Sequence, residues 1–235
     1  MPALEDWPGQ LRRNPPPSSP TYAVRAPIAA WLRREAAARP GPYRVLDVGC
    51  GVKPYYPFFA PHVSEYVGVD VVENPAADLQ GAVESLPVED ASFDVVLCIQ
   101  VLEHADDPAQ AVRELRRVAK PGARVLASTH GTQVYHPSPQ DHWRWTHTGL
   151  ERLFRTSAEW SSVTVAPGAG TGACLAMLTA TYIDLVAQRV HAVWAGELVN
   201  RAVNRAGGAL DRRSRLLRHA VPGSLIANFH ITAVR

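Results

Sequence analysis

Short, nearly continuous apolar runs recur along the first half of the chain, at Val45-Leu46-Asp47-Val48, at Val67-Gly68-Val69, from Phe93 to Ile99 and from Arg124 to Thr129. Runs of this length bounded by turn residues read as buried strands. Between the last two, Ala111, Val112, Leu115, Val118 and Ala119 repeat at helical spacing and predict an amphipathic helix. Asp107 predicts its N-cap, Pro108 its first position, Gln110 a capping-box partner and Pro121-Gly122 its end. Tyr22 to Ala38, rich in alanine with Ile28, Trp31 and Leu32 on one side, predicts a helix leading into the first strand, and Thr148 to Thr156 predicts a later one. Buried strands alternating with helices imply a doubly wound α/β domain with a parallel sheet covered on both faces.

The last third breaks this rhythm. Ser162 to Ala166 predicts a sixth strand, Gly168 to Gly172 a flexible link, and Ala173 to Ala206 a long helical stretch. Gly207-Gly208 is expected to interrupt it before a further helix at Leu210 to His219, and Leu225 to Val234 alternates as an antiparallel last strand would. The organisation predicted is an arm and helix at 1–40, a Rossmann-like core at 41–172, a helical insertion at 173–222 and a closing core strand at 223–235. Pro15-Pro16-Pro17-Ser18-Ser19-Pro20 predicts an extended arm.

Candidate chemistry gathers where the strands end. Asp47-Val48-Gly49-Cys50-Gly51 reads as a strand turning through a bend without Cβ atoms, which lets backbone approach a ligand, and Asp70 closes the neighbouring strand with a carboxylate able to accept from both hydroxyls of a ribose. Dinucleotide sites add a third glycine for a pyrophosphate; here Pro54 occupies that position. The pattern fits a nucleoside with an amino-acid tail, whose ammonium would meet strand-end carbonyls and Asp47.

On these residues the chain resembles the class I S-adenosylmethionine-dependent methyltransferases. Glu84-Ser85-Leu86-Pro87 through Ser92-Phe93-Asp94 and Leu102-Glu103-His104 are similar to that family's "LPF…sFD" and "LEH" elements, and Glu114 to Gly122 is similar to its "E…RVLKPGG" turn. Asp141-His142-Trp143-Arg144-Trp145-Thr146 resembles the "D-y-W-R-f-T" element of one branch. The resemblance implies a seven-stranded, mostly parallel sheet with an antiparallel last strand, and S-adenosylmethionine as cofactor. It places Asp47 on the ammonium, Gly49, Cys50 and Gly51 at the open turn, Asp70 on the ribose, Val71, Val83 and Glu84 around the adenine, and Ile99 and Gln100 at the strand end lining the same crevice. Ala82 stands where family members often carry an acid for the adenine amino group, so Glu84 is the substitute considered. Tyr22 and Arg25 either reach the cofactor's carboxylate or belong to a helix that merely covers the sheet.

Transfer of a methyl group from a sulfonium needs alignment and a dry pocket, and a base only where the acceptor arrives protonated. Histidines crowd the connection after the fifth strand, making His130 the leading base candidate with His104 and His142 behind it, and Tyr135, His136, Asp141 and Trp143 candidate acceptor contacts. Arg144 and Trp145 read either as part of this surface or as its internal packing. His136, Asp141 and His142 lack tight metal-ligand spacing, so no metal is expected. A small-molecule acceptor methylated on oxygen or nitrogen is the function expected; a cofactor-binding module without catalysis and a nicotinamide-dependent oxidoreductase are the alternatives.

Composition narrows the setting. A net charge of +2 over 235 residues offers no broad nucleic-acid footprint. The most hydrophobic long stretch, residues 173–195, carries Asp184, Gln188, Arg189 and His191, which disfavours a membrane span. Three cysteines and an N-terminus without an apolar leader predict a reduced, cytoplasmic setting. Arg201, Arg205, Arg212, Arg213, Arg215 and Arg218 mark the insertion as basic, suited to an anionic acceptor, a carrier protein or a membrane surface, or else to the solvated face of a lid or dimer helix. Monomer and homodimer are both open.

Overall fold

The computed structural model describes residues 4–38, 40–137 and 139–235, excluding the side chains of Arg215 and Leu216. The basic run of the insertion is therefore described without its Arg215 member. In chain order the elements are α1 (Gln10–Arg13), α2 (Tyr22–Ala37), β1 (Tyr43–Val48), α3 (Tyr56–Phe59), β2 (Val63–Asp70), β3 (Leu79–Gln80), β4 (Phe93–Ile99) and α4 (Pro108–Val118). They continue with β5 (Ala119–His130), α5 (His147–Ser157), β6 (Ser162–Pro167), α6 (Thr171–Arg189), α7 (Val193–Arg213), α8 (Arg215–Arg218) and β7 (Asn228–Val234).

The strands form one seven-stranded sheet in the order β3-β2-β1-β4-β5-β7-β6. β7 runs antiparallel to both β5 and β6, while the pairings from β3 through β5 are parallel. This is the Rossmann-like arrangement expected. Winding reverses between β1 and β4, so the carboxyl ends of β1, β2, β4 and β5 open onto one crevice. Alternate side chains of the buried strands feed two cores. Leu46, Val96 and Val125 meet Val112 and Leu115 of α4 and Leu150 and Phe154 of α5. Val45, Val95, Leu97 and Leu126 meet Ile28 and Leu32 of α2 and Met177 of α6 on the other face.

Local signals mostly hold. The Asp107 carboxylate accepts from the Gln110 backbone N–H at 3.0 Å, as an N-cap should. Gln110 does not reciprocate, because its amide reaches the Glu84 carbonyl; the Glu84 carboxylate instead accepts from the backbone N–H groups of Asp106 and Asp107. Pro121-Gly122 forms an irregular early stretch of β5, with Gly122 at φ 76°, after the helix has ended at Val118.

Three expectations about the flanking segments are corrected. Gly207-Gly208 does not break a helix, because α7 runs through it and the turn falls earlier, between Arg189 and Val193. Close helix contact is what uses the small residue: a Cβ on Gly207 would stand 2.5 Å from the Gly172 carbonyl oxygen. Gly168 to Gly172 is not a loose link. Asp211 of α7, buried, accepts from the backbone N–H groups of Gly170, Gly172 and Ala173 at 2.9, 2.8 and 3.1 Å, so one helix caps the N-terminus of its neighbour across the hairpin. The proline-rich arm is a series of turns rather than an extended strap, held by the Asn204 amide on the carbonyls of Pro17 and Ser19. Neither tertiary contact has a local signature.

The helical insertion thus lies between β6 and β7 as a hairpin of α6 and α7 with α8 appended. Cys50, Cys98 and Cys174 are free and buried. No helix among the described residues is long and apolar enough to cross a membrane. Replacing Asp211 with alanine strands three buried backbone donors and is predicted to lower unfolding free energy by about 2–3 kcal/mol. Urea denaturation reads this directly, and a change under about 0.5 kcal/mol would show that the cap is not stabilising.

Candidate active site

The crevice is built around a bend that only glycine serves well. Gly49 and Gly51 take φ 65° and 50°, and a Cβ on Gly49 would collide with the Val101 side chain. Between them Cys50 donates its backbone N–H to the Val69 carbonyl at 3.0 Å, tying the bend to β2. Burial and the nearby Asp47 and Asp70 raise its thiol to about 12, so it is a packing group and not a nucleophile.

Asp47, near the end of β1, is 3 % exposed and accepts from the Tyr66 hydroxyl at 2.7 Å. Burial pushes its carboxyl up to about 7 despite that hydrogen bond and the positive charges of Lys53 and Arg12. Lys53 is engaged elsewhere, in a 2.6 Å ion pair with Asp78. Asp70, ending β2, accepts from the Gly51 N–H at 2.9 Å and from the Asn74 amide at 3.3 Å, which fixes the carboxylate at the rim of the bend. Arg12 of α1 and Arg25 of α2 converge on the same end: the Arg12 guanidinium comes within 3.9 Å of where a Gly51 Cβ would be, and its charge combines with burial to lower the pKa of Arg25. Among the described residues neither arginine has an ion-pair partner. Arg12 carried no signal in the sequence, because its place depends on a four-residue helix folding back over the bend.

The remaining residues expected around an adenine divide. Val71 is exposed at the mouth, whereas the Val83 side chain joins the core beneath it. Glu84 is occupied at the start of α4, as described above, so it serves the helix first. Ile99 ends β4 at the crevice and Gln100 follows it with φ 60°.

At the far end of the crevice stands a histidine cluster. His130, the last residue of β5 and 5 % exposed, places Nε2 3.0 Å from the Gln100 Oε1 and 3.3 Å from Glu103 Oε1. Glu103 is fully buried and also accepts from the Thr129 hydroxyl at 2.8 Å; burial raises its carboxyl to about 7. Burial and the Arg144 guanidinium lower His130 to about 3, leaving a neutral imidazole. Its Nδ1 and the Glu103 Oε1 are buried without a hydrogen-bond partner. Glu103 was missed in the sequence, although its position after Val101-Leu102 already suggested burial.

His136 packs edge-on to both His130 and His104, with ring centroids 5.2 Å apart in each pair. The Nδ1 of His104 pairs with the Gln140 carbonyl at 2.6 Å. His142 lies exposed, 3.6 Å from Asp106, and is not brought into the cluster. Tyr135 is 73 % exposed. Arg144 binds both Asp141 oxygens at 2.6 Å and spends its other donors on the carbonyls of Gln133, Val134 and Trp143. Trp143 donates to the Ala105 carbonyl at 2.7 Å and stacks on Trp145. These contacts favour the packing role for Arg144 and the two indoles: they clamp the loop that presents His136.

A glycine bend flanked by Asp47 and Asp70 and a buried histidine–glutamate cluster thus mark two ends of the crevice. Residues 46–127 match the family model described as a methyltransferase domain. That segment and the sheet topology support a class I S-adenosylmethionine-dependent methyltransferase core. The ubiquinone biosynthesis O-methyltransferase of Hahella chejuensis is 42% identical over 110 residues, covering 40% of this chain and 46% of that protein. The chain thus spans about half the length of the curated relatives it matches. Among solved structures, YcgJ of Bacillus subtilis superposes with a TM-score of 0.52 at 19% identity, covering 89% of this chain and 97% of the other. The [4+2]-cyclase SpnF gives a TM-score of 0.57 at 18% identity over 89% of this chain and 81% of its own. At such identities these two show the fold alone.

The buried carboxyl of Asp47 has a thermodynamic consequence. A carboxyl with a raised folded pKa stabilises the fold relative to its ionised state below its ordinary value of 3.8 and loses that contribution as pH rises toward 7. His130 and His230, lowered to about 3 and about 4, act in the opposite sense by losing stability as pH falls below 6.5. The difference between a variant and the parent isolates the aspartate. Asp47→Asn is predicted to match the parent's stability near pH 4 and to exceed it by roughly 2–4 kcal/mol above pH 7 in the ligand-free protein. Denaturant unfolding across pH checks this, and a difference that stays flat would contradict it.

Proposed function

We propose that the chain transfers the methyl group of S-adenosylmethionine to an oxygen or nitrogen of a small-molecule acceptor. The observation that carries this reading is a buried carboxyl at the glycine bend, raised by burial although the charges of Lys53 and Arg12 act on it, set beside two arginines, Arg12 and Arg25, that have no ion-pair partner among the described residues. An amino-acid tail supplies both missing charges at once: its ammonium meets Asp47 and its carboxylate meets Arg12 and Arg25. Asp70 then holds the ribose, with Val71, Ile99 and Gln100 around the base. Relatives that match over part of this chain, O-methyltransferases of ubiquinone biosynthesis among them, agree with an oxygen acceptor.

In this reading the sulfonium points along the crevice toward the histidine cluster. A hydroxyl acceptor seated there gives its proton to the free lone pair on His130 Nδ1, while Glu103 and Gln100 hold Nε2 and stabilise the imidazolium that forms. His104 and His136 shape the acceptor pocket, with Tyr135, Asp141 and Trp143 belonging to the loop that frames it and His142 outside it. The basic hairpin insertion is assigned as an accessory element to the core, serving as a lid or a homodimer contact.

Turnover with methyl-labelled S-adenosylmethionine and a panel of small phenols and amines tests the activity. Label should appear in an oxygen or nitrogen product, and His130→Ala should lower kcat for a hydroxyl acceptor by about 100-fold or more with cofactor affinity little changed. Arg12→Ala should do the reverse, weakening cofactor binding by about tenfold and leaving kcat at saturation near the parent's. Cofactor binding with no label transfer to any acceptor would favour a binding module over an enzyme.

A further inference from the structure

The histidine cluster holds more than a base. Gln100 donates its amide N–H to the Ser128 hydroxyl at 3.1 Å, so its carbonyl oxygen is the atom turned to His130 Nε2 at 3.0 Å. That fixes the tautomer: Nε2 carries the hydrogen, and the lone pair sits on the buried, unpartnered Nδ1. An imidazole held by a carbonyl through one nitrogen, with the Glu103 carboxyl 3.3 Å from that nitrogen and the other nitrogen bare, is the kind of arrangement that orients histidine ligands toward a metal. His104 repeats half of the pattern through its hydrogen bond to the Gln140 carbonyl.

Two further donors share the space. One ligand atom from each of His130, His136 and Asp141 lies within 4.8 Å of the others, closely enough for a single ion to span them. Arg144 takes two of the roughly four lone-pair positions of Asp141; the His136 backbone N–H takes a third at 3.1 Å, and one remains. The loop that brings His136 and Asp141 to the end of β5 is the one clamped by Arg144 and Trp143. Spacing along the chain grouped His136 and Asp141 with His142 and predicted no metal; the fold instead brings His130 beside His136 and Asp141.

We propose that His130 Nδ1, a ring nitrogen of His136 and a carboxylate oxygen of Asp141 form a binding site for a divalent first-row transition-metal ion of the zinc type. Two imidazoles and one carboxylate favour such an ion over magnesium or calcium, which prefer oxygen ligands, and three protein ligands leave a position open. The inference deepens the methyltransferase reading, since the open position would face the acceptor. A bound ion would then lower the acceptor hydroxyl's pKa, with His130 acting as ligand in place of base. The Arg144 guanidinium beside the carboxylate weakens the site relative to a bare triad.

The test uses the full chain, stripped with chelator and titrated with Co2+ as a spectroscopic probe, followed by displacement with Zn2+. One equivalent should give the intense visible absorption of a low-coordinate cobalt site, reversed by Zn2+. His136→Ala, on the half-buried loop, should weaken binding by more than 100-fold, and Glu103→Gln, which removes no ligand, by about 10–100-fold. Thermal melting confirms that each variant is folded. Absence of the absorption, or its persistence in folded His136→Ala and His130→Ala proteins, would overturn the site and assign any cobalt to other histidines. Calorimetry with S-adenosylhomocysteine on the same samples separates the two readings: cofactor binding without cobalt binding sinks only this inference, and cobalt binding without cofactor binding sinks the methyltransferase reading alone.

Discussion

A buried carboxyl with no ion-pair partner among the described residues organises this molecule. Asp47 sits near the end of a central strand, touching one phenolic hydroxyl, in surroundings dry enough to hold its pKa near 7. The bend that follows has no Cβ at either glycine, so a ligand can reach that carboxyl through backbone alone. Stability is given up here in exchange for a preformed cradle, the usual relation between a strained or desolvated site and its ligand. The neighbouring Asp70, and Arg12 and Arg25, which have no ion-pair partner among the described residues, set further charges around the same bend, in the places the proposed ligand would need them.

The opposite end of the crevice repeats the principle with different chemistry. Glu103 and His130 are both buried, each disfavouring its own charged form, and each keeps an unpartnered atom in the dry interior. Around them the connection from β5 to α5 is held by Arg144, Asp141 and Trp143, so the cluster is positioned by a clamped loop and a rigid strand end together. Proteins of other chemistry share this sheet, as the cyclase neighbour shows, so the fold leaves the reaction to such local constellations.

Strand-end residues were legible in the sequence because their signals are local. An apolar run ending in Asp-x-Gly-x-Gly, an aspartate closing the next strand and a proline at the third glycine position each depend on neighbours in the chain. The same holds for the N-cap at Asp107. What was not legible depends on residues brought together from afar. Arg12 reaches the bend through a short helix without periodicity, Asp211 caps a helix about forty residues earlier, and Gly207 looks like a helix breaker until Gly172 is seen against it. Glu103 stood beside His104 in a motif whose histidine drew attention, yet burial turned the glutamate toward His130.

The central claim is that Asp47 waits for an ammonium group. Calorimetric titration of the ligand-free protein with S-adenosylhomocysteine near pH 6, in two buffers of different ionisation heat, measures it directly, because an ammonium docking on a half- or mostly protonated carboxyl must expel its proton. The account predicts a net release approaching one proton near pH 6, fading above pH 8 and absent in Asp47→Asn. Binding with no proton release at pH 6, or no binding at all, would contradict it.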